Sequence, residues 1–281
     1  MPHVSPIVSN GQIKQSVVAW CFREHWDLET TCQTVASLGG HSVEVVPPDD
    51  WPTLQKYGLT CALAPNGMPG WPFMKGLNNP VYQDEVLQRL EQMITVCGEA
   101  GFPNVISFTG YKWRNAEDPS SGEISLEEGM DNCVAALKRI APIAESHRVT
   151  ICVEHLNTRD GSHPMKGHPG YQGDDVSVVA EMIRRVGSDY IKLLFDIYHV
   201  QVMHGDIMRH IDQLQDVIGH VHTAGCPGRG ELDHTQEIQY PPIMSKLLEV
   251  GYQGYVGQEF IPTRDPVEGL TEAMRLCDVP E

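Results

Sequence analysis

The stretch Ile218–Asp233 reads IGHVHTAGCPGRGELD, a short apolar run that delivers His222 to a glycine-rich loop carrying Arg229. Such a run, bounded by Gly and Pro, is typical of a buried strand that ends at a functional loop. Three other segments share this build, an apolar run ending in a carboxylate and then a polar loop: Val149–Glu154, Ile191–Asp196 and Tyr255–Glu259. The pattern predicts that four side chains occupy equivalent ends of four successive strands: Glu154, Asp196, His222 and Glu259.

Strand-like runs alternate with helical-period segments along the whole chain. Four further runs precede those above, namely Val17–Cys21, Ser42–Val46, Leu59–Ala64 and Asn104–Phe108. Helices are predicted between them from caps and glycine stops, as at Asp27–Leu38 and Ser125–His147. Strict alternation predicts a parallel sheet with right-handed crossovers, and eight units in 281 residues favour a (β/α)8 TIM barrel over an open sheet. No linker interrupts the pattern, so we expect a single domain over 1–281, with 1–15 as an N-terminal extension.

Three long segments follow predicted strands: Pro65–Tyr82, Gly110–Glu123 and Thr158–Gly173. The C-terminal ends of the strands hold the chemistry in TIM barrels. Long segments at that face are expected to form walls or a lid over the site. Trp20, Trp71 and Trp113 are candidates to line the pocket, with core packing as the alternative.

The charge and the cysteines limit the class of protein. A net charge of −17 argues against nucleic acid or an anionic membrane as partner, and implies that an acidic substrate is held by a metal, an Arg or a Lys. No apolar run is long enough to cross a bilayer, and the N-terminus shows no signal pattern. The 8 cysteines form no C-x-x-C pair, so reduced core cysteines and a cytoplasmic location are expected. A homo-oligomer is compatible with the sequence.

The four strand-end side chains predict one divalent-metal site. Each carboxylate alone could equally cap a helix or face solvent. Three partly buried carboxylates at one rim would be costly and would repel each other, and a cation removes both costs. Three carboxylates and one imidazole suit Mn2+, Mg2+ or Co2+, and Zn2+ is also possible.

Other polar residues lie beside this cluster. His199, three residues after Asp196, and Arg229, whose planar fork suits a carboxylate or paired hydroxyls, are the predicted substrate-binding residues. A structural hydrogen bond is the alternative for His199. His155 and His220 are expected to face away from the metal. His163 and His168 could reach the site from their long loop, with solvation as the expected state of both.

The residues favour proton-transfer chemistry. The sequence contains no P-loop, no strand-linked dinucleotide fingerprint, no G-x-S-x-G and no H-E-x-x-H. A metal that chelates a carbonyl oxygen and the adjacent hydroxyl acidifies the C–H between them and stabilises the resulting enediolate. Glu154 and Glu259 could each move a proton beside it. The prediction is an aldose–ketose isomerisation or an epimerisation without an organic cofactor.

Over almost its full length the chain resembles the hydroxypyruvate isomerase group of the xylose-isomerase-like TIM barrels. The resemblance rests on WCF (20–22), VEHLNTRD (153–160), HPGY (168–171), KLLFDIYHVQVMHGD (192–206), IGHVHTAGCPGRGELDHTQEIQYP (218–241) and GYQGYVGQEFIP (251–262). It implies metal ligands at Glu154, Asp196, His222 and Glu259, with Glu154 and Glu259 as the acid/base pair. It also implies that His199 and Arg229 hold substrate, and that hydroxypyruvate and tartronate semialdehyde are interconverted.

Alternatives remain open at the level of substrate and class. His222 stands where the hydroxypyruvate isomerases carry Gln in H-V-Q-I-A, and a histidine there resembles the ketose 3-epimerases. A ketose 3-epimerase or inosose isomerase acting on a longer polyol is therefore the first alternative. More remote are a metal-dependent endonuclease-like hydrolase, which would need a basic groove and extra His ligands, and a non-catalytic binding barrel.

Overall fold

The computed structural model describes residues 7–280, in which most strands of the main sheet are followed by a helix, as expected. The strands are β1 Lys14–Val18, β2 Ser42–Glu44, β3 Asn104–Phe108, β4 Trp113–Asn115, β5 Asp118–Glu123, β6 Thr150–Glu154, β7 Ile191–Asp196, β8 Ile218–Thr223 and β9 Tyr255–Gln258. The helices are α1 Ala19–Phe22, α2 Leu28–Leu38, α3 Trp51–Lys56, α4 Pro80–Ala100, α5 Leu126–His147, α6 Val176–Val186, α7 Ile197–Met203, α8 Ile207–Leu214, α9 Tyr240–Glu249 and α10 Pro266–Cys277.

The main sheet is parallel and curls into the predicted TIM barrel. Its strand order is β2-β1-β9-β8-β7-β6-β3. The predicted strand Leu59–Ala64 fills the remaining gap but is not a regular strand, because it is paired only at single bridges, Thr60 with Ser42 and Ala64 with Val105. At Ala62 side chains replace the ladder, since its amide donates to Ser42 Oγ at 2.8 Å and its carbonyl accepts from Asn104 Nδ2 at 2.8 Å.

Two predicted segments differ in the structure. The first strand begins at Lys14, so the prediction Val17–Cys21 is wrong in its bounds, and Trp20 and Cys21 lie in the one-turn helix α1. Residues 14 and 15 of the expected N-terminal extension therefore belong to the sheet, and residues 1–6 lie outside the described part. The segment Gly110–Glu123 is largely a β-hairpin formed by β4 and β5.

Helix boundaries follow the predicted signals. The Asp27 carboxylate accepts from Thr30 N at 2.8 Å and Ser125 Oγ accepts from Glu128 N at 3.1 Å, which satisfies free amides at the starts of α2 and α5. Gly39, with φ 90°, ends α2 in the left-handed conformation that glycine adopts without strain. Within residues 7–280, no helix combines the length and the apolar character that a membrane crossing requires.

The barrel strands are buried along almost their whole length, as expected for parallel strands covered by helices. Buried charged side chains in such strands need partners, because an isolated ion inside a core is costly. Those on the strands or directly after them are Glu44, Glu154, Asp196, His220, His222 and Glu259. They mark the site.

Candidate active site

Four side chains from adjacent strands converge at the C-terminal rim of the barrel. In the parallel register Asp196 lies beside His222, and the Glu259 amide donates to Thr223 O at 2.9 Å. Glu154 ends the neighbouring strand β6. One carboxylate or imidazole atom from each of Glu154, Asp196, His222 and Glu259 lies within 4.8 Å of the others, and none of these residues is more than 5% exposed.

The Asp196 carboxylate does two things at once. Its Oδ1 accepts from the backbone amides of Tyr198 at 2.8 Å and His199 at 3.3 Å, and so caps α7. Its Oδ2 lies 3.1 Å from Arg229 Nη2 and faces the cluster. Helix capping and a ligand role are therefore compatible at this position, because each uses a different oxygen.

Three side chains surround the Glu259 carboxylate. Its Oε1 accepts from the Trp20 indole N–H at 3.2 Å. Its Oε2 lies 2.6 Å from Arg229 Nη2 and 2.8 Å from His222 Nδ1. This orientation leaves the Glu259 carboxylate at the floor of a cavity and in contact with the other groups of the cluster.

The pKa shifts show an uneven charge distribution. Burial, together with the Glu259 carboxylate, raises the pKa of Glu154 well above its usual value. Burial also raises the pKa of Asp196 to about 6, although Arg229 opposes this shift. Burial opposes ionisation of Glu259 too, but Arg229 and His222 hold its pKa well below the usual range. Burial disfavours the charged form of His222, yet Glu259 and Glu44 raise its pKa well above normal.

These residues fit a divalent cation. Glu154 Oε1 is buried and finds no hydrogen-bond donor among residues 7–280, and it lies 4.0 Å from His222 Nδ1. A buried carboxylate oxygen without a hydrogen-bond donor raises the free energy of the folded state unless a cation or a proton neutralises it. Three carboxylates with one imidazole form a donor set that suits Mn2+, Mg2+ or Co2+, and Zn2+ can also use it.

A cavity of about 410 Å3 opens above the cluster. Its floor contains Glu154, Glu259 and Arg229. Its walls come largely from two of the three long segments, confirming their predicted position: Asn66, Gly67, Met68, Gly70, Trp71, Pro72 and Phe73 from the first, and Met165 and His168 from the last. Trp20 and Trp71 line the cavity, whereas the Trp113 indole packs against Gly170, where an added Cβ would come within 2.8 Å of Nε1.

The two predicted substrate-binding residues occupy different places. Arg229 reaches the cavity floor, with its guanidinium over the rings of Trp20 and Tyr198 at 5.5 and 5.6 Å. His199 is wholly buried behind Asp196, with its Nε2 3.5 Å from Asp196 Oδ2. Its Nδ1 accepts from the Asn157 amide at 3.1 Å, and burial holds its pKa well below normal. A substrate contact at His199 therefore stays a prediction, and its Nε2 has no hydrogen-bond partner of good geometry among residues 7–280.

Residues 32–278 match the family described as xylose isomerase-like TIM barrel. The chain belongs to this family. A human relative that carries the provisional name hydroxypyruvate isomerase is 28% identical over 268 residues, 90% of this chain and 91% of the human protein. A 2-oxo-tetronate isomerase from Cupriavidus necator is 33% identical over 130 residues, which are 46% of this chain and 47% of that protein.

Solved structures of similar fold include proteins described as an endonuclease and as epimerases. An AP endonuclease, family 2, from Brucella melitensis superposes with a TM-score of 0.78 at 22% identity, covering 92% of this chain and 97% of that chain. A 3-keto-D-glucoside 4-epimerase from E. coli superposes with a TM-score of 0.75 at 16% identity, covering 94% of this chain and 100% of the epimerase chain. At these identities the likeness shows the fold alone.

Within this family barrel, three residues near the cluster escaped the sequence interpretation. The expectation that His220 faces away is wrong, because residues i and i+2 of a strand share a face, and His220 Nε2 lies 2.7 Å from Glu44 Oε2. Glu44, an acid inside the apolar run SVEVV, was the available signal for a buried partner. His168 is not solvated but 3% exposed, packed on Phe73 with ring centroids 4.2 Å apart. No local pattern distinguishes His168 from the exposed His163.

Metal binding is expected to release protons near neutral pH. Glu154 and His222 have raised pKa values, so they hold protons that a metal must displace. Affinity should therefore fall as the pH decreases through these raised values. Calorimetric titration of Mn2+ in two buffers of different ionisation enthalpy should show release of roughly one to two protons per ion. Identical heats in both buffers, with constant affinity from pH 6 to 8, would contradict the assignment.

Proposed function

We propose that this protein is a metal-dependent isomerase of a small hydroxy-carbonyl compound, with hydroxypyruvate and tartronate semialdehyde as the first candidate pair. The observation that carries the proposal is the convergence of Glu154, Asp196, His222 and Glu259 on one point at the floor of a cavity. The isomerase names of the human and C. necator relatives support the reaction class.

The four converging residues would hold the cation, Mn2+, Mg2+ or Co2+ by donor type, with Zn2+ also possible. When bound, such an ion supplies Lewis-acid chemistry that lowers the pKa of a C–H next to a carbonyl. Glu154 and Glu259 both line the cavity and are the candidates to take a proton from one carbon and return it to another. Their pKa values are pushed in opposite directions in this structure, as suits a pair with separate acid and base roles.

Arg229 and His168 are the candidates to orient the substrate. Arg229 brings a fixed positive charge to the cavity of a protein whose net charge is −17, so it can hold a substrate carboxylate that the rest of the molecule repels. Burial and Arg229 lower the pKa of His168 to about 3, so its imidazole is neutral and can donate a hydrogen bond to a substrate oxygen without competing for the charge. Trp20 and Phe73 exclude water beside them.

A second candidate, an epimerase of a longer ketose, is favoured by the size of the cavity. About 410 Å3 falls in the range of sites that hold drug-sized ligands, well above the needs of a three-carbon acid. The wall formed by Trp71, Phe73, Ile106 and Phe108 could pack against the apolar face of a sugar. The histidine at position 222 also favours this candidate, because a histidine there resembles the ketose 3-epimerases.

A substrate panel separates these candidates. The Mn2+-loaded protein is incubated with hydroxypyruvate, fructose, psicose and inosose in deuterium oxide, and product formation and solvent deuterium incorporation are measured. Turnover of hydroxypyruvate supports the first candidate, and turnover of six-carbon ketoses alone overturns it in favour of the second. Absence of deuterium incorporation with every compound, together with nicking of abasic DNA, would overturn both.

A further inference from the structure

Glu44 is a buried carboxylate beside the candidate metal centre that the proposed reaction does not use. It ends β2, is 0% exposed, and lies outside the four-residue cluster. Among residues 7–280, neither of its oxygens has a hydrogen-bond partner of good geometry. Its neighbours are two imidazoles of β8, with Oε2 2.7 Å from His220 Nε2 and 3.6 Å from His222 Nε2.

The backbone next to Glu44 departs from regular strand geometry. Val45, the next residue, has a φ of 58°, a left-handed conformation that a β-branched residue rarely adopts. Such strain persists only where the surrounding structure fixes it, and it concentrates at functional sites. Gly257 pairs with His222 in the sheet and has no side chain, which leaves room for the Glu44 carboxylate. A Cβ added at Gly257 would lie 2.1 Å from Glu44 Oε1 and 2.8 Å from His222 Cδ2.

The two ring nitrogens of His222 face different partners. Nδ1 lies 2.8 Å from Glu259 Oε2 and 4.0 Å from Glu154 Oε1, on the side of the metal cluster. Nε2 faces Glu44. A neutral imidazole carries one N–H, and the position of that hydrogen decides which nitrogen has a lone pair for a metal. A histidine that binds a metal usually donates its other N–H to a carboxylate or carbonyl, which fixes the tautomer.

We propose that Glu44 is a positioning residue that keeps the hydrogen of His222 on Nε2 and so reserves Nδ1 for the metal. This inference rests on the proposed metal site. His220 Nε2 lies 2.7 Å from the same carboxylate oxygen and restricts how far the Glu44 side chain can turn. Gly257 provides the space that the carboxylate occupies.

Glu44, His220 and His222 could also be considered as ligands of a second ion, since their ligand atoms lie within 4.8 Å of one another. The distances disfavour such an ion. Two ligands at about 2.1 Å from a tetrahedral zinc lie roughly 3.4 Å apart. Glu44 Oε2 and His220 Nε2 are separated by 2.7 Å, which is too close for two ligands of one such ion.

The test replaces Glu44 with Gln, which keeps the shape and removes the obligatory acceptor. Mn2+ affinity measured by calorimetry should fall by about 10- to 100-fold, with one ion still bound per chain. Long-range 1H–15N spectra of histidine-labelled protein, with and without Mg2+, should show His222 Nε2 protonated in the wild type and partly deprotonated in the variant. Glu231→Gln is the matched control, because Glu231 is a buried carboxylate bonded to Thr263 and Arg264, and it should change neither measurement.

A second variant crowds the same region without changing Glu44. Gly257→Ala should displace the Glu44 carboxylate and press on the His222 ring, since the added Cβ would meet both, and should weaken Mn2+ binding at least as much as Glu44→Gln. Unchanged affinity and tautomer in Glu44→Gln would overturn the proposal, as would two ions per wild-type chain with one lost in the variant. If the wild type binds no metal, the proposed function fails, while the spectra still test the effect of Glu44 on His222.

Discussion

Glu259→Gln is expected to abolish proton exchange while the barrel stays folded. The amide preserves the shape and can still accept from the Trp20 indole, but it cannot take a proton from carbon. Loss of a general acid or base typically lowers a rate by about 10²- to 10⁴-fold. The measurement is solvent deuterium incorporation into the substrate by the Mn2+-loaded variant, with Mn2+ affinity determined in parallel.

Two comparisons make the Glu259 result specific. Glu154→Gln removes the other carboxylate of the proposed pair and should also suppress exchange, since a two-base transfer needs both. Glu249→Gln changes an exposed acid that pairs with Lys246 at 3.0 Å, and should leave exchange unchanged. Near-normal exchange in Glu259→Gln with metal bound would show that Glu259 is not a base, and loss in only one of the two site variants would indicate a single-base reaction.

The barrel was predictable because strand burial leaves a strong trace in the sequence. Parallel strands covered on both faces read as continuous apolar runs, and a carboxylate that ends such a run stands out against them. This signal identified Glu154, Asp196 and Glu259 at one rim, and the geometry brings them together with His222. The run 59–64 carries the same apolar signal but does not form a regular strand, because side chains of neighbouring strands take the backbone hydrogen bonds of Ala62.

The environment of the site was less predictable, because it depends on contacts between distant segments. His168 and His163 belong to the same polar segment, and only the fold places one against Phe73 in the cavity wall and leaves the other in solvent. The Glu44 pairing joins residues more than 170 positions apart, although the two-residue period of β8 already places His220 on the same face as His222. Applying that period strictly would have revealed a second histidine at the site.

Arg229→Met is expected to lower the free energy of unfolding of the metal-free protein by about 3–5 kcal/mol, because it leaves buried carboxylates without their cation. Arg229 is 2% exposed and pairs with Asp196 at 3.1 Å and Glu259 at 2.6 Å. Methionine keeps an apolar stem of similar length, so the change removes mainly the charge. Chemical denaturation of the metal-free wild type and variant measures the difference, and Arg23→Met, which removes an exposed charge at the cavity mouth, is the control.

The dependence of this loss on pH and metal identifies its cause. Without Arg229, the folded-state pKa values of Asp196 and Glu259 should lie above their unfolded values, so the folded variant binds more protons than the unfolded chain and loses stability as the pH rises through the folded values. The deficit should therefore be smaller at pH 5 than at pH 8. Saturating Mn2+ should recover part of it, because an ion that binds only the folded state stabilises it and neutralises the same oxygens. A deficit that neither pH nor Mn2+ alters would mean that Arg229 contributes packing rather than charge. The carboxylates of the cluster would then not need a positive charge to neutralise them, which would contradict the proposed cation site.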